Sequence, residues 1–280
     1  MSTWPADAVP WVVALWAGLG YAVAWRQVNA RHPQSRVSTL RLVAWLGGVV
    51  AILAALASPL DGLADELLTA HMVQHLLLTM VAPPLMAIGA PVLLLLRISS
   101  RATRARLLLP LLHARLIRIL ASPWLGWLLF TVVMWAAHFT PIYDAALEDE
   151  RLHVLEHAAF LATGCLFWWP VIGADPMPRR LRFGPRLAYL LAQMPVNAAV
   201  GLAIYFAPSV LYEHYARAAS LPGVDPLVDQ QVGGLVMWAA GDLLLLGAVA
   251  LVVVAWMRAE ARRADRRHAV GPSPGARGST

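Results

Sequence analysis

The chain has 280 residues, 59% of them hydrophobic and 14% charged, with 12 tryptophans, a formal net charge of +6 and a mean hydropathy of +0.62. An average soluble domain carries roughly 25% charged residues, and a chain near this size still leaves roughly a quarter of its surface in water. The composition therefore excludes a water-soluble enzyme, a disordered chain, a disulfide scaffold and a coiled coil; apolar runs too long for barrel strands leave an all-α, polytopic membrane helix bundle.

Seven apolar runs are long enough to cross the hydrocarbon, which takes about 20 helical residues. The first, 10–27, follows a flank with Asp7 and no basic residue. It reads as a helix with an exported N-terminus, since a signal peptide opens on positive charge. The second covers 40–58. The third, 67–98, is too long for one perpendicular span, and Pro83 and Pro84 interrupt it, which predicts a kinked or broken helix. Residues 107–120 are apolar with arginine and histidine interspersed, about 14 residues that read as an interfacial helix. The remaining runs are 123–140, 152–172, 186–207 and 231–258. One seven-helix transmembrane domain over 1–260 is expected, followed by a basic tail, 261–280, whose Gly, Pro and Ser content predicts disorder.

Arginine distribution gives the orientation. No lysine is present, and 20 of the 22 arginines fall in the connections 26–41, 97–118 and 179–186 and from Arg258 onward. Only Arg151 and Arg217 fall on the other side. Positive-inside then puts the N-terminus outside and the C-terminus in the cytoplasm of a multi-pass membrane protein. The positive charge reads as topology, not as a nucleic-acid surface.

The exported side collects six of the nine histidines: His71, His75, His138, His153, His157 and His214. His71 and His75, in HMVQH, open the third run, and His153 and His157, in HVLEH, open the fifth. An i,i+4 spacing puts both imidazoles of a pair on one helix face, roughly 6 Å apart along the axis. Two nitrogens on one face are how a helix ligates a single ion. His138, in the last turn of the fourth run, reaches the same level. One HxxxH pair is an ordinary interface feature; two pairs and His138 at one depth point to a metal site of His71, His75, His138, His153 and His157. Imidazole suits copper, zinc, iron and nickel. Met72 and Met80 are nearby thioethers that would favour Cu(I), although Met72 points away from the pair. Copper is therefore expected first and zinc next. Cys165 lies two turns deeper than His157 and reads as a packing residue.

HVLEH also fits the inverted zinc-protease pattern, with Glu156 as the base that activates water. Glu156 is read instead as an outer partner fixing a histidine tautomer, with His214 in the same outer role. Asn197 and Asp242 lie about 16 Å into the sixth and seventh runs. An intramembrane carboxyl should face a partner, and Asn197 is the one expected. Gly233, Gly234 and Gly241 predict close helix approach. Trp168, Trp169, Trp256, Tyr205, Tyr212 and Tyr215 read as interfacial aromatic belts.

The segments HMVQHLLLTMVAPPLMAIGAP, HFTPIYDAAL, HVLEHAAFLATGCLFWWPVIGADP, MPVNAAVGLAIYFA with LYEHYA, and DQQVGGLVMW occur in that order over about residues 60–258. Together they resemble the seven-span CtaG family of cytochrome c oxidase assembly factors. The resemblance implies a non-enzymatic plasma-membrane protein required to mature a haem–copper oxidase, binding copper in the outer histidine layer and supporting its insertion. Implied partners are cytochrome c oxidase subunits, a copper donor protein and membrane lipids. The family's histidines map onto His71, His75, His138, His153, His157 and His214. The alternatives are a membrane-embedded metal-dependent hydrolase using HVLEH and a haem-binding electron carrier.

Overall fold

The computed structural model describes residues 8–140, 142–176, 180–217 and 223–269. Arg179 and the tail from 270 lie outside them. α1 (Ala8–Arg31) leads through a 3-10 turn (Pro33–Ser35) to α2 (Thr39–Leu56). Ser38 caps α2 by accepting from the Leu40 amide, and Ser58 does the same for Leu60 at the start of α3 (Pro59–Ala64). A column follows: α4 (Leu68–Leu76), a π turn (Leu77–Val81), α5 (Ala82–Gly89) and α6 (Pro91–Ile98). The short helices α7 (Arg101–Thr103), α8 (Leu109–His113) and α9 (Arg115–Leu120) replace the single interfacial helix expected there, with a second π turn (Arg104–Leu108) before α8 and a break at Ala114, where ψ is 146°. Then come α10 (Pro123–Phe139), α11 (Ile142–Glu148), α12 (Glu150–Ile172), α13 (Phe183–Tyr205), α14 (Glu213–Arg217) and α15 (Pro226–Leu235). A third π turn (Val236–Ala240) joins α15 to α16 (Gly241–Ala269). No strand occurs among the described residues. α16 continues helical through 261–269, the first part of the segment read from sequence as tail.

Among the described residues, six helical units are long and apolar enough to cross a membrane: Ala8–Arg31, Thr39–Leu56, Leu68–Ile98, Glu150–Ile172, Phe183–Tyr205 and Pro226–Arg266. α10 is apolar but has 17 residues, about 26 Å at 1.5 Å per residue against a hydrocarbon core of about 30 Å. Large apolar side chains such as Trp11, Trp16, Leu243 and Leu251 face outward on these helices, as expected of surfaces that meet acyl chains rather than water.

The column α4–α5 is the centre of the bundle, packed by α2, α12 and α15. Its prolines do not break it. Pro83 has no amide to give the carbonyl of Thr79, four residues earlier, and the π turn opens there. The Trp168 indole of α12 takes up that carbonyl at 2.9 Å. Gly164, one turn before Trp168, lets α12 come close: a Cβ there would lie 2.9 Å from the Pro83 ring and 3.2 Å from the Thr79 oxygen. Trp168 is thus a core residue, 2% exposed, and not part of a belt. The break in the column comes later, at Ala90, whose φ of 52° is left-handed and costs an L-residue about 1–2 kcal/mol. Asp175 holds the restart, its Oδ1 accepting from the Leu93 amide of α6 at 2.7 Å.

The expected glycine contacts occur. A Cβ on Gly234 would lie 2.7 Å from the Gly201 oxygen, so α13 and α15 touch backbone to backbone. A Cβ on Gly241 would meet the Asn197 amide, also at 2.7 Å. That amide donates to the Met237 carbonyl, in the third π turn, at 3.1 Å and to Asp242 Oδ1 at 3.2 Å. Asp242 therefore faces Asn197 across the α13–α16 contact, as the sequence predicts.

Candidate metal centre

The register of α4 is set from α15. Asp229 accepts from the amides of Leu68 (2.7 Å) and Thr69 (3.3 Å), and its carbonyl accepts from the Thr69 hydroxyl at 3.0 Å. An acidic group at a helix N-terminus satisfies amides that no earlier turn can serve. Gln74 fixes another face, donating to the Ala55 carbonyl at 2.7 Å and to Asp61 at 2.8 Å. α12 carries its own cap: Asp149 Oδ1 accepts from the Arg151 amide at 2.8 Å and more weakly from Leu152 at 3.4 Å. α10 meets α12 at Gly126, where a Cβ would lie 2.5 Å from the Leu166 oxygen.

These constraints bring five imidazoles together. Ring centroids are 4.3 Å apart for His71–His75 and for His153–His157. Between helices, His71 stacks on His153 at 5.4 Å, His75 lies 5.9 Å from His157, and His75 lies 5.3 Å from His138. Phe160 closes the inner side, 4.4 Å from the His75 ring. His71 and His75 are fully buried, His138 is 2% and His157 7% exposed, and His153 is the half-buried member. Rings this close leave no haem-sized gap between facing imidazoles, which axial ligation of a haem would need.

The ligating nitrogens follow from the hydrogen bonds. Tyr215 is buried, and burial raises its hydroxyl well above the usual phenol range, so it keeps its proton. That proton goes to the Ala64 carbonyl at 2.8 Å. The Tyr215 oxygen, 3.1 Å from His71 Nδ1, must then accept, which puts the His71 proton on Nδ1 and leaves Nε2 with a free lone pair. His138 Nδ1 donates to the Met134 carbonyl at 2.7 Å, again freeing Nε2. His71 Nε2, both nitrogens of His75, Nε2 of His138, His153 and His157, and both Glu156 oxygens are buried with no hydrogen-bond partner. Buried polar atoms are paired in the large majority of cases. A cluster of unpaired lone pairs on one wall is the pattern a cation completes.

Two three-residue sets have all their ligand atoms within 4.8 Å of one another: His71, His75 and His157, and His71, His153 and Glu156. Glu156 departs from its expected role. It makes no hydrogen bond to an imidazole and stands among the ligand atoms; the tautomers are fixed by Tyr215 and the Met134 carbonyl. His214 lies one layer out, its Nε2 2.9 Å from the Asp65 carbonyl and its ring 5.1 Å from Tyr215. Met72 faces α15, its Cγ 3.4 Å from a Cβ built on Gly233, and the sets of nearby donors are imidazoles and one carboxylate, which suit zinc, copper, iron or nickel. Tyr212 and Tyr215 are buried over this layer rather than set in a belt: Tyr212 donates to the His138 carbonyl at 3.2 Å and packs at a tilt against Tyr143, whose ring is 5.5 Å from His71. Sequence reasoning gave Tyr143 no role and counted Tyr212 and Tyr215 as belt residues. The signal was their place in PIYDAAL and LYEHYA, beside histidine-bearing segments.

The family model of cytochrome c oxidase caa3 assembly factors matches residues 19–259. Uncharacterized proteins of Mycobacterium bovis and Mycobacterium tuberculosis are each 31% identical to the chain over 278 residues, and one of Mycobacterium leprae is 31% identical over 277. Each alignment covers 96% of this chain and 42% of the relative, so the chain spans less than half the length of these relatives. No solved structure matches it.

Proposed function

The chain belongs to the cytochrome c oxidase caa3 assembly factor family, and from that premise we propose that it handles copper as cargo, holding the ion among His71, His75, His138, His153 and His157 for insertion into the oxidase. The observation that carries the reading is the group of buried imidazole nitrogens and Glu156 oxygens without partners. Copper is preferred over zinc because haem–copper oxidases need an inserted copper ion. The protein's contribution is binding: neutral imidazoles, those of His71 and His138 with tautomers set in advance, offer lone pairs without a proton having to leave.

The membrane setting belongs to the same reading. α10 is a seventh, short span, and the arginine split puts the N-terminus and the histidine layer outside the plasma membrane, where subunits of the oxidase and a copper donor would meet it. The test is copper content by elemental analysis after purification in mild detergent. Replacing His71 and His75 with alanine, or His153 and His157, disables both ligand sets and should abolish copper binding while the helical content stays. Replacing His32 and His113 should leave copper unchanged. Wild-type copper in both outer double mutants would refute the reading.

A further inference from the structure

We infer that the histidine cluster gives one ion two overlapping positions that share His71, so that the ion passes between them by exchanging ligands around that residue. The inference rests on the reading that this cluster holds a metal ion. The two sets, His71–His153–Glu156 and His71–His75–His157, have only His71 in common. His71 has one nitrogen to offer, because its Nδ1 proton is committed to Tyr215. One lone pair binds one ion, so the sets cannot be filled together.

The sets lie at different depths. His153 is half-buried, while His71, His75 and His157 are buried and Glu156, one residue before His157, is buried with it. Within each helix the second histidine is one turn further in, roughly 6 Å. The set that contains His153 is therefore the outer position and the set that contains His75 the inner one. Passage inward breaks the bonds to His153 nitrogen and Glu156 oxygen and forms bonds to His75 and His157 nitrogens, with the His71 Nε2 bond kept. The step needs no electron transfer. The outer set includes a hard oxygen donor and the inner set is all imidazole, so a cuprous ion, the softer form, is better matched to the inner position.

The test uses the full chain in mild detergent with cuprous ion supplied from a coloured chelator. Uptake is followed by stopped-flow absorbance, final content by elemental analysis, and ligand type by X-ray absorption. Wild type should take up one ion per chain. His153→Ala with Glu156→Gln should still hold one ion but acquire it at least tenfold more slowly. His75→Ala with His157→Ala should also hold one ion, now with an oxygen ligand in the absorption spectrum. Unchanged size-exclusion profiles and helical signal check that the variants fold, and the conservative single variant Glu156→Gln gives the rate comparison with least disturbance. Two ions bound at once in wild type, an uptake rate in the outer variants equal to wild type, or no ion in the inner double variant would overturn the inference while leaving copper binding intact. No copper in wild type would instead overturn the proposed function itself.

Discussion

Tyr215→Phe isolates the tautomer argument, because it removes one oxygen and keeps the ring. That oxygen donates to the Ala64 carbonyl at 2.8 Å and accepts from His71 Nδ1 at 3.1 Å. Both partners are buried, with Ala64 1% exposed and His71 fully buried, so each loses this hydrogen bond without access to water. An unpaired buried group costs about 1–3 kcal/mol, and the variant should unfold at a lower temperature. His71 is also released to place its proton on either nitrogen and its ring in other rotamers. Loss of such an orienting partner typically weakens metal binding about 10–100-fold, roughly 1.4–2.7 kcal/mol. Competition against a cuprous chelator of known affinity measures the change. Tyr212→Phe is the control, since Tyr212 bonds only the backbone carbonyl of His138; it should lose stability and keep its copper affinity. Affinity within twofold of wild type for Tyr215→Phe, or equal losses in both variants, would refute the reasoning.

The other predictions concern topology, the mid-membrane pair and pH. In a Cys165→Ala background, single cysteines at Asp65 and Asp149 should react with an impermeant reagent added to intact cells, and one at Arg104 should not; labelling at Arg104 would invert the orientation. Asp242→Asn keeps an oxygen facing the Asn197 amide, so copper content and oxidase maturation should both remain at wild-type levels, and loss of maturation with intact fold would show that the carboxyl carries a proton or ion. Burial pushes the Asp175 carboxyl up to about 6, against a lowering contribution from the Leu93 and Val92 amides. The folded chain thus holds this proton more tightly than the unfolded one, so the stabilisation is full below the unfolded value of 3.8 and is lost as pH rises through 6. Asp175→Asn should therefore raise the unfolding midpoint at pH 7.5, by no more than about 3 kcal/mol of stability, and leave it unchanged near pH 3; a lower midpoint at pH 7.5 would contradict it.

What was legible in the sequence was local and periodic. HMVQH and HVLEH each fix two imidazoles on one face because a helix repeats every 3.6 residues, and the structure turns those faces toward each other. Asn197 and Asp242 met as expected because two antiparallel helices with polar residues at equal depth have few other partners in hydrocarbon. The unread parts are long-range. Tyr215 lies 144 residues from His71, and no spacing rule connects them. Trp168 looked like a belt residue because tryptophan near a helix end usually is one, yet Pro83 on another helix left a carbonyl that only a buried donor could serve. The break at Ala90 escaped notice for the complementary reason: two adjacent prolines were the stronger local signal, and a π turn with that indole contact absorbed them.

The placement of Glu156 bears on which way an ion moves. The imidazoles of the cluster are neutral ligands, so a cuprous ion in the inner set brings an uncompensated charge into a bilayer-level site, where bare charge is costly. An ionised Glu156 cancels that charge at the outer position. Glu156 immediately precedes His157 on α12, about 1.5 Å along the axis, so its charge reaches both positions: two unit charges about 6 Å apart attract by roughly 3 kcal/mol at an effective dielectric of 20. The carboxylate therefore steadies an ion at either position, and an ion taken further inward would lose that attraction without gaining another counter-charge from the ligand sets. If the cluster carries copper as proposed, such an arrangement would hold the ion rather than pass it across the membrane, which is the behaviour expected of an insertion factor rather than of a conduit.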